Sequence, residues 1–204
     1  MRTLRIISLL LSVPAVAALA APETFDFKDP KNVNNIIFKL DAPLEAINGN
    51  ANGISGTVTF DPQNPGATKG KIVVASASLT VPNAMQTTHM RGKMWLDAEN
   101  HPEITFEARD LSNVKTDGDK TTAEVAGTFT LKGVSKDLTI PVEFSYLKDK
   151  LGARLGGKQK GDLLVIRANF SIKRRDFAIQ PGKNEDKVSD TIYLTLGIAG
   201  ACAK

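Results

Sequence analysis

The chain has 204 residues, is 42% hydrophobic and 24% charged, and carries a formal charge of +4. Its lysines and arginines are scattered, with no dense basic face interleaved with aromatics, so composition argues against a nucleic-acid partner. Cys202 is the only cysteine, which excludes an intrachain disulfide.

Residues 1–20 read as a secretory signal peptide. Arg2 and Arg5 form a basic start, Ile6 to Leu19 an apolar run, and Ala18-Leu19-Ala20 a small-x-small cleavage site. Removal of this segment leaves 24 cations against 22 anions, so the mature chain is close to neutral. No cysteine follows the cut to carry a lipid anchor. No later apolar run reaches the roughly 20 residues a membrane helix needs. The expectation is an exported, soluble mature chain, residues 21–204, forming one domain with a sizeable core.

Period-2 alternation then dominates. It predicts strands over 34–41, 53–61, 70–81, 103–112, 120–132, 138–148, 162–173 and 189–199. Turn chemistry separates them: Asn48-Gly49 and Asn52-Gly53, Asp61-Pro62 with Pro65-Gly66, Asp117-Gly118-Asp119, Lys132-Gly133, Gly156-Gly157 and Pro181-Gly182. Short connections make sequential strands antiparallel neighbours. The predicted fold is therefore all-β, an eight-stranded antiparallel up-and-down barrel, which leaves no open edge. A two-sheet sandwich is the competing architecture. The exception to the strand pattern is Asn83 to Trp95. Asn83 with Gln86 suits a capping box, and Met90 and Met94 share a helical face, so one short helix is expected over an end or side of the barrel.

The inward positions are Ile, Val, Leu, Phe, Ala and Gly, almost without charge. Gly56, Ala108 and Gly127 fall on that face, where small residues leave space. A void there would be dry, and its ligand apolar, with methionines adapting to a flexible chain. The same residues would also serve a solid core, and periodicity does not separate the two.

Catalytic constellations are poor. His89 and His101 could be drawn with Asp97 and Glu99 as metal ligands, but no spacing such as HExxH supports it, and mouth or surface positions fit better. No GxSxG elbow exists. Gly152 to Lys158 has the spacing of a phosphate loop, yet Gln159 stands where Ser or Thr should hold magnesium. The segment is expected to be a hairpin loop between two strands, with no helix N-terminus to face a phosphate. Asn169-Phe170-Ser171 matches a glycosylation sequon but falls inside a strand. Arg174-Arg175-Asp176-Phe177, directly after a strand, could tie a loop to the rim or offer cations to a polar head group.

Several of these segments resemble one family in order: Phe60-Asp61-Pro62, His89-Met90-Arg91-Gly92 through Leu96-Asp97, and Pro102-Glu103-Ile104-Thr105-Phe106. They are followed by Val125-Ala126-Gly127 through Leu131-Lys132-Gly133-Val134, and by Arg175-Asp176-Phe177. Over roughly residues 24–199 the chain resembles the YceI-like family of bacterial periplasmic proteins. The resemblance implies a lipocalin-like barrel with a helix by one end. It also implies a long isoprenoid or other lipid inside, an isoprenoid quinone in some members, and no catalytic residue set. Three departures stand out: Trp95-Leu96-Asp97 where two phenylalanines more often precede the aspartate, Val81-Pro82-Asn83 after the third strand, and the Asn/Gly-rich stretch 48–53.

The functional expectation is a non-enzymatic, periplasmic lipid-binding protein without a metal or resident cofactor. Its partner is a small lipid, with room for transient membrane contact and for a homodimer. Met85, Met90, Met94, Trp95 and Phe106 are expected to line the cavity with Phe129, Phe144 and Phe170. His89, Arg91 and Arg175 are expected at its polar mouth. An enzyme acting on a bound lipid and a ligand-free structural or stress-response partner protein are the alternatives. The first would need His89 or His101 beside the head group, the second a filled interior.

Overall fold

The computed structural model describes residues 21–157 and 159–204. The expected signal peptide lies outside them. Ten strands form one antiparallel sheet. They are β1 (Glu23–Asp26), β2 (Asn35–Asp41), β3 (Ala46–Ala51), β4 (Ile54–Phe60), β5 (Lys69–Ala75), β6 (Glu103–Asp117), β7 (Lys120–Leu131), β8 (Val134–Leu147), β9 (Gly161–Lys173) and β10 (Thr191–Ala203). Helix α1 spans Ala84–Arg91, and a short α2 spans Leu151–Leu155.

The ten strands make eight ribbons. β1 and β2 both pair with β10, at Asp26↔Ala201 and at Gly197↔Asn35, so they are one ribbon interrupted by residues 27–34. β3 pairs with β2 and β4 with β1, so these two are likewise one ribbon broken only at Asn52-Gly53. Sequential antiparallel pairing from β4 to β10 then closes the sheet on itself. This is the expected eight-stranded up-and-down barrel, and closure rules out the sandwich.

Alternation carries through to burial. Along β7, Thr121, Ala123, Val125, Gly127, Phe129 and Leu131 are all buried, while the residues between them face outward. The hairpin from β7 to β8 turns on Lys132 (φ 50°) and Gly133 (φ 73°), the two positive φ values that a tight two-residue turn matching strand twist demands.

Five details differ from the sequence reading. Asn48-Gly49 is no turn but lies inside β3; the hairpin turns at Pro43-Leu44 instead. Gly49 is there because a Cβ would stand 2.1 Å from Cζ of Phe38, on the paired strand. Gly127 leaves room that Phe106 takes, its Cζ 2.7 Å from where a Cβ would be, and Gly56 sits against the Lys71 backbone. Neither glycine opens a void. The strand expected to run to Val81 ends at Ala75 in a 3₁₀ turn, and the expected Gly/Lys hairpin loop holds α2. The helix expected over Asn83–Trp95 is capped by Asn83, whose side chain accepts from the Met85 and Gln86 amides, and it stops at Gly92.

The end of the barrel carrying β1 and α2 is solid. Phe25, Phe27, Leu151, Leu164 and Ile198 are fully buried there. Asn34 bonds the Phe27 and Ala199 carbonyls and accepts from the Ala199 amide. Arg154 closes over Asp29 at 2.8 Å. The carboxylate of Asp162, fully buried, accepts from the Asp149 amide (2.8 Å), the Lys204 ammonium (2.6 Å) and the Tyr146 hydroxyl (2.5 Å).

Burial pushes the Asp162 carboxyl up, but these three donors outweigh it and hold the group down at about 2. Its folded value lies below its unfolded one. The stabilisation is therefore complete above about pH 4 and lost as pH falls through about 2. Acid titration of stability should show a drop in that window, and Asp162→Asn should flatten it while lowering stability at neutral pH.

Candidate functional site

Inside the other half of the barrel lies a cavity of about 360 Å³. A hydrocarbon-lined cavity of roughly 150 Å³ is already large enough to stay dry and take up benzene. Every second residue of β9 from Ile166 to Ile172 lines the void, so it runs about 20 Å along that strand at ~3.3 Å per residue. β2 supplies Ile36, Phe38 and Leu40; β5 Ile72 and Val74; β6 Ile104, Phe106 and Ala108. β10 supplies Ile192, Leu194 and Leu196. Alternation thus delivers an apolar wall from every ribbon. The floor is Phe144, stacked on Phe60 with ring centroids 5.7 Å apart.

The open end is roofed by three pieces. The first is α1, with Gln86, His89 and Met90 on the lining. The second is the turn that follows, with Trp95 and Leu96. The third is the strap between β9 and β10, which contributes Ile179 and Val188. β8 pairs with β9 only from Val142 onward, and Phe177 packs beside the unpaired start of β8, edge-on to Phe129 at 5.5 Å.

One residue holds the strap. Arg174 is fully buried and lies on the cavity lining. Its Nε donates to the Ser189 carbonyl (3.2 Å), Nη1 to Ile179 (2.9 Å) and Gln180, and Nη2 to Lys183 (2.5 Å) and Val188 (3.1 Å). All five N–H groups of the guanidinium are therefore engaged by backbone. Its cation stands 5.9 Å from the centre of the Trp95 ring. Beside it, Arg175 Nε donates to Asp190 Oδ2 at 2.5 Å, and the Arg175 amide to Asp190 Oδ1 at 3.1 Å. Burial works to raise the Asp190 carboxyl, but the Arg175 contacts win and lower it.

Met90, Trp95, Phe106, Phe129, Phe144 and Phe170 all stand on the cavity wall. Met85 and Met94 do not: they are 69% and 70% exposed. Met85 opens the first turn of α1 on its outer face, and Met94 lies past the helix end, so the expected Met90/Met94 stripe is never formed. His89 lies on the lining at the mouth. Arg91 does not; its Nε holds the Leu79 carbonyl at 2.9 Å. Arg175 ties the strap to Asp190 rather than facing the cavity. His101 packs by the Gly133 turn, with Nε2 4.0 Å from Asp97. Among the described residues no group of three His, Cys, Asp or Glu is placed to hold a metal.

Glu45 and Gln86 are lining residues that sequence reasoning did not find, and Arg174 was read there only as one of a pair at the rim. The Arg174-Arg175 pair was a usable signal, but chain position alone does not tell which guanidinium turns inward.

A YceI-like domain model matches residues 29–199. The chain belongs to the YceI-like family. A UPF0312 protein of Yersinia pestis (strain Pestoides F) is 33% identical over 156 residues, covering 76% of this chain and 74% of its own. One from Pseudomonas aeruginosa (strain LESB58) is 30% identical over 152 residues, 74% and 72%. Among solved structures, BcnA of Burkholderia cenocepacia superposes with a TM-score of 0.65 at 22% identity, covering 81% of this chain and 95% of BcnA. The Campylobacter jejuni YCEI protein gives 0.60 at 26% identity, covering 75% and 83%. A polyisoprenoid binding domain from Saccharophagus degradans gives 0.63 at 11%, covering 89% and 99%.

The three departures from the family pattern all reach the cavity. Trp95 and Val81 line it, and the 48–53 stretch is part of the wall ribbon that carries Ile47 and Ala51.

Replacing Arg174 with Met would leave five carbonyls facing an apolar side chain. Arg174→Met is expected to cost about 3–5 kcal/mol, the scale of an uncompensated buried polar network. Arg175→Met, at an exposed site, should cost distinctly less. Denaturant unfolding of both variants checks the ranking.

Proposed function

We propose that this protein takes a long apolar chain, isoprenoid or quinone-like, into its barrel and shields it from water in the periplasm. The observation that carries the reading is the cavity itself: a blind, hydrocarbon-walled void whose polar side chains cluster at one end. Burying a hydrocarbon chain there gains about 25 cal/mol per Å² before ordering costs, which is enough to hold a lipid that water rejects. A polyisoprenoid binding domain from Saccharophagus degradans is built on the same fold, which supports the reading. The lining is overwhelmingly hydrocarbon, with only a few polar side chains, which favours carriage over turnover. The leader-like residues 1–20 support export.

Loading has a natural geometry. Leu44, next to Glu45 on the lining, is 67% exposed, and Met85, next to Gln86, is 69% exposed. With Met94 they place apolar tips around the mouth, suited to brief contact with a lipid surface from which a chain could pass without crossing water. Among the described residues no helix is long and apolar enough to span a membrane.

Native mass spectrometry of protein isolated from its own host should reveal a co-purifying lipid. Ala168→Phe, which fills the void from a lining position, is expected to remove that lipid while the thermal midpoint holds or rises. A lipid that persists in Ala168→Phe would sink the cavity reading. Leu44→Asp with Met85→Asp is expected to slow lipid transfer from vesicles several-fold with affinity for the chain unchanged, as read by a transfer time course.

A further inference from the structure

Within the carrier reading above, we infer that the mouth selects a lipid whose polar end is an uncharged, hydroxyl-bearing group, held by Glu45, Gln86 and His89. The cavity floor is the Phe144–Phe60 stack, so a polar end has no partner there and must stay at the mouth. Besides Thr105 on β6 and the Trp95 indole, the polar side chains of the lining are Glu45, Gln86, His89 and Arg174.

They divide into two kinds. Arg174 is the cation that would suit a phosphate, yet every one of its N–H groups already serves the strap carbonyls. Arg175, the next guanidinium, is paired with Asp190, and the Nε of Arg91 is tied to Leu79. Glu45, Gln86 and His89 are the opposite case. Glu45 is half-buried, Gln86 and His89 are exposed at the rim, and among the described residues none of these side chains has a hydrogen-bond or ion-pair partner in the protein. Gln86 and His89 are three apart on α1 and so lie on one helical face. Glu45 faces the same void from the β2–β3 turn.

The chemistry of that trio is specific. A carboxylate accepts hydrogen bonds and donates none, so Glu45 favours a head that brings its own O–H, while the Gln86 amide can donate to that same oxygen. A phosphate or diphosphate would bring a second negative charge against Glu45, and like charges at close range cost affinity. The fit is a prenyl alcohol or a quinol, not a prenyl phosphate.

Geranylgeraniol and geranylgeranyl diphosphate share one chain and differ only in the head. Each is titrated into the full mature protein, with the fluorescence of Trp95, the sole tryptophan and a lining residue, as readout. The titrations are run side by side in one buffer. The alcohol is expected to bind at least about tenfold more tightly. Glu45→Gln is expected to narrow the gap by strengthening the diphosphate about tenfold, and Glu45→Lys to reverse the order. Raising the salt should narrow the wild-type gap, because the repulsion is screened. If both compounds bind but the diphosphate binds as tightly or tighter, or if Glu45→Gln leaves the ratio unchanged, the inference is overturned and the carrier reading stands. If neither compound binds, the carrier reading falls and the inference with it.

Discussion

Closure of the sheet at one seam is the constraint on which everything else rests. The seam is made by β10, whose free edge is covered at one end by β2 and at the other by β1. Neither short strand would suffice alone. Their shared register with β10 keeps Ile36, Phe38 and Leu40 on the same inner face as Leu194 and Leu196. A slip of one residue would turn every one of these side chains outward, because the strand period is two. The eight-residue interruption between β1 and β2 is absorbed on the solid end, where Asn34 replaces the missing ladder bonds with side-chain bonds to Phe27 and Ala199.

The two ends of the barrel do different things. One is filled with aromatic rings and sealed by ion pairs and the Asp162 cluster. These groups lie far from the cavity mouth and act on stability. The other end is roofed by loops and a two-turn helix rather than by the sheet. A roof of that kind can open without breaking the ladder, since exposed loops sit at the low end of local stability. Solidity at one end leaves the void closed at its floor, and the other end is covered only by loops and α1.

Arg174 joins the structural and functional halves. A cation in an oil-lined wall is costly unless its donors are met, and here five strap carbonyls meet them. The result is a strap whose Ile179 and Val188 are held against the cavity by a residue that offers a ligand no hydrogen bond. In the proposed carrier reading, the same fact shifts head-group recognition onto the unengaged side chains of Glu45, Gln86 and His89.

The alternation of β6 to β10 was plain in the sequence, because each inward face is apolar and each turn carries Gly, Asn or Asp. The aromatic wall residues Phe106, Phe129, Phe144 and Phe170 follow from that parity alone. β1 and β3 did not show: β1 has four residues, and β3 reads Ala-Ile-Asn-Gly-Asn-Ala, with a turn-like Asn48-Gly49 whose glycine exists only to admit the Phe38 ring. Met85 and Met94 looked like lining because methionine suits a greasy cavity, but Met85 stands on the outer face of α1 and Met94 lies past the helix end at Gly92. Chain order alone fixed the antiparallel ribbons and their oily inner faces, since period-2 patterning is a local property, whereas closure into a barrel rather than a sandwich is set by the β10 seam. Whether those faces enclose a void, which of two adjacent arginines turns inward, and which mouth side chains keep their hydrogen bonds free were decided only in three dimensions. Each depends on partners distant in sequence: Gly127 yields its space to Phe106, and the Arg174 donors are taken by carbonyls five to fifteen residues away.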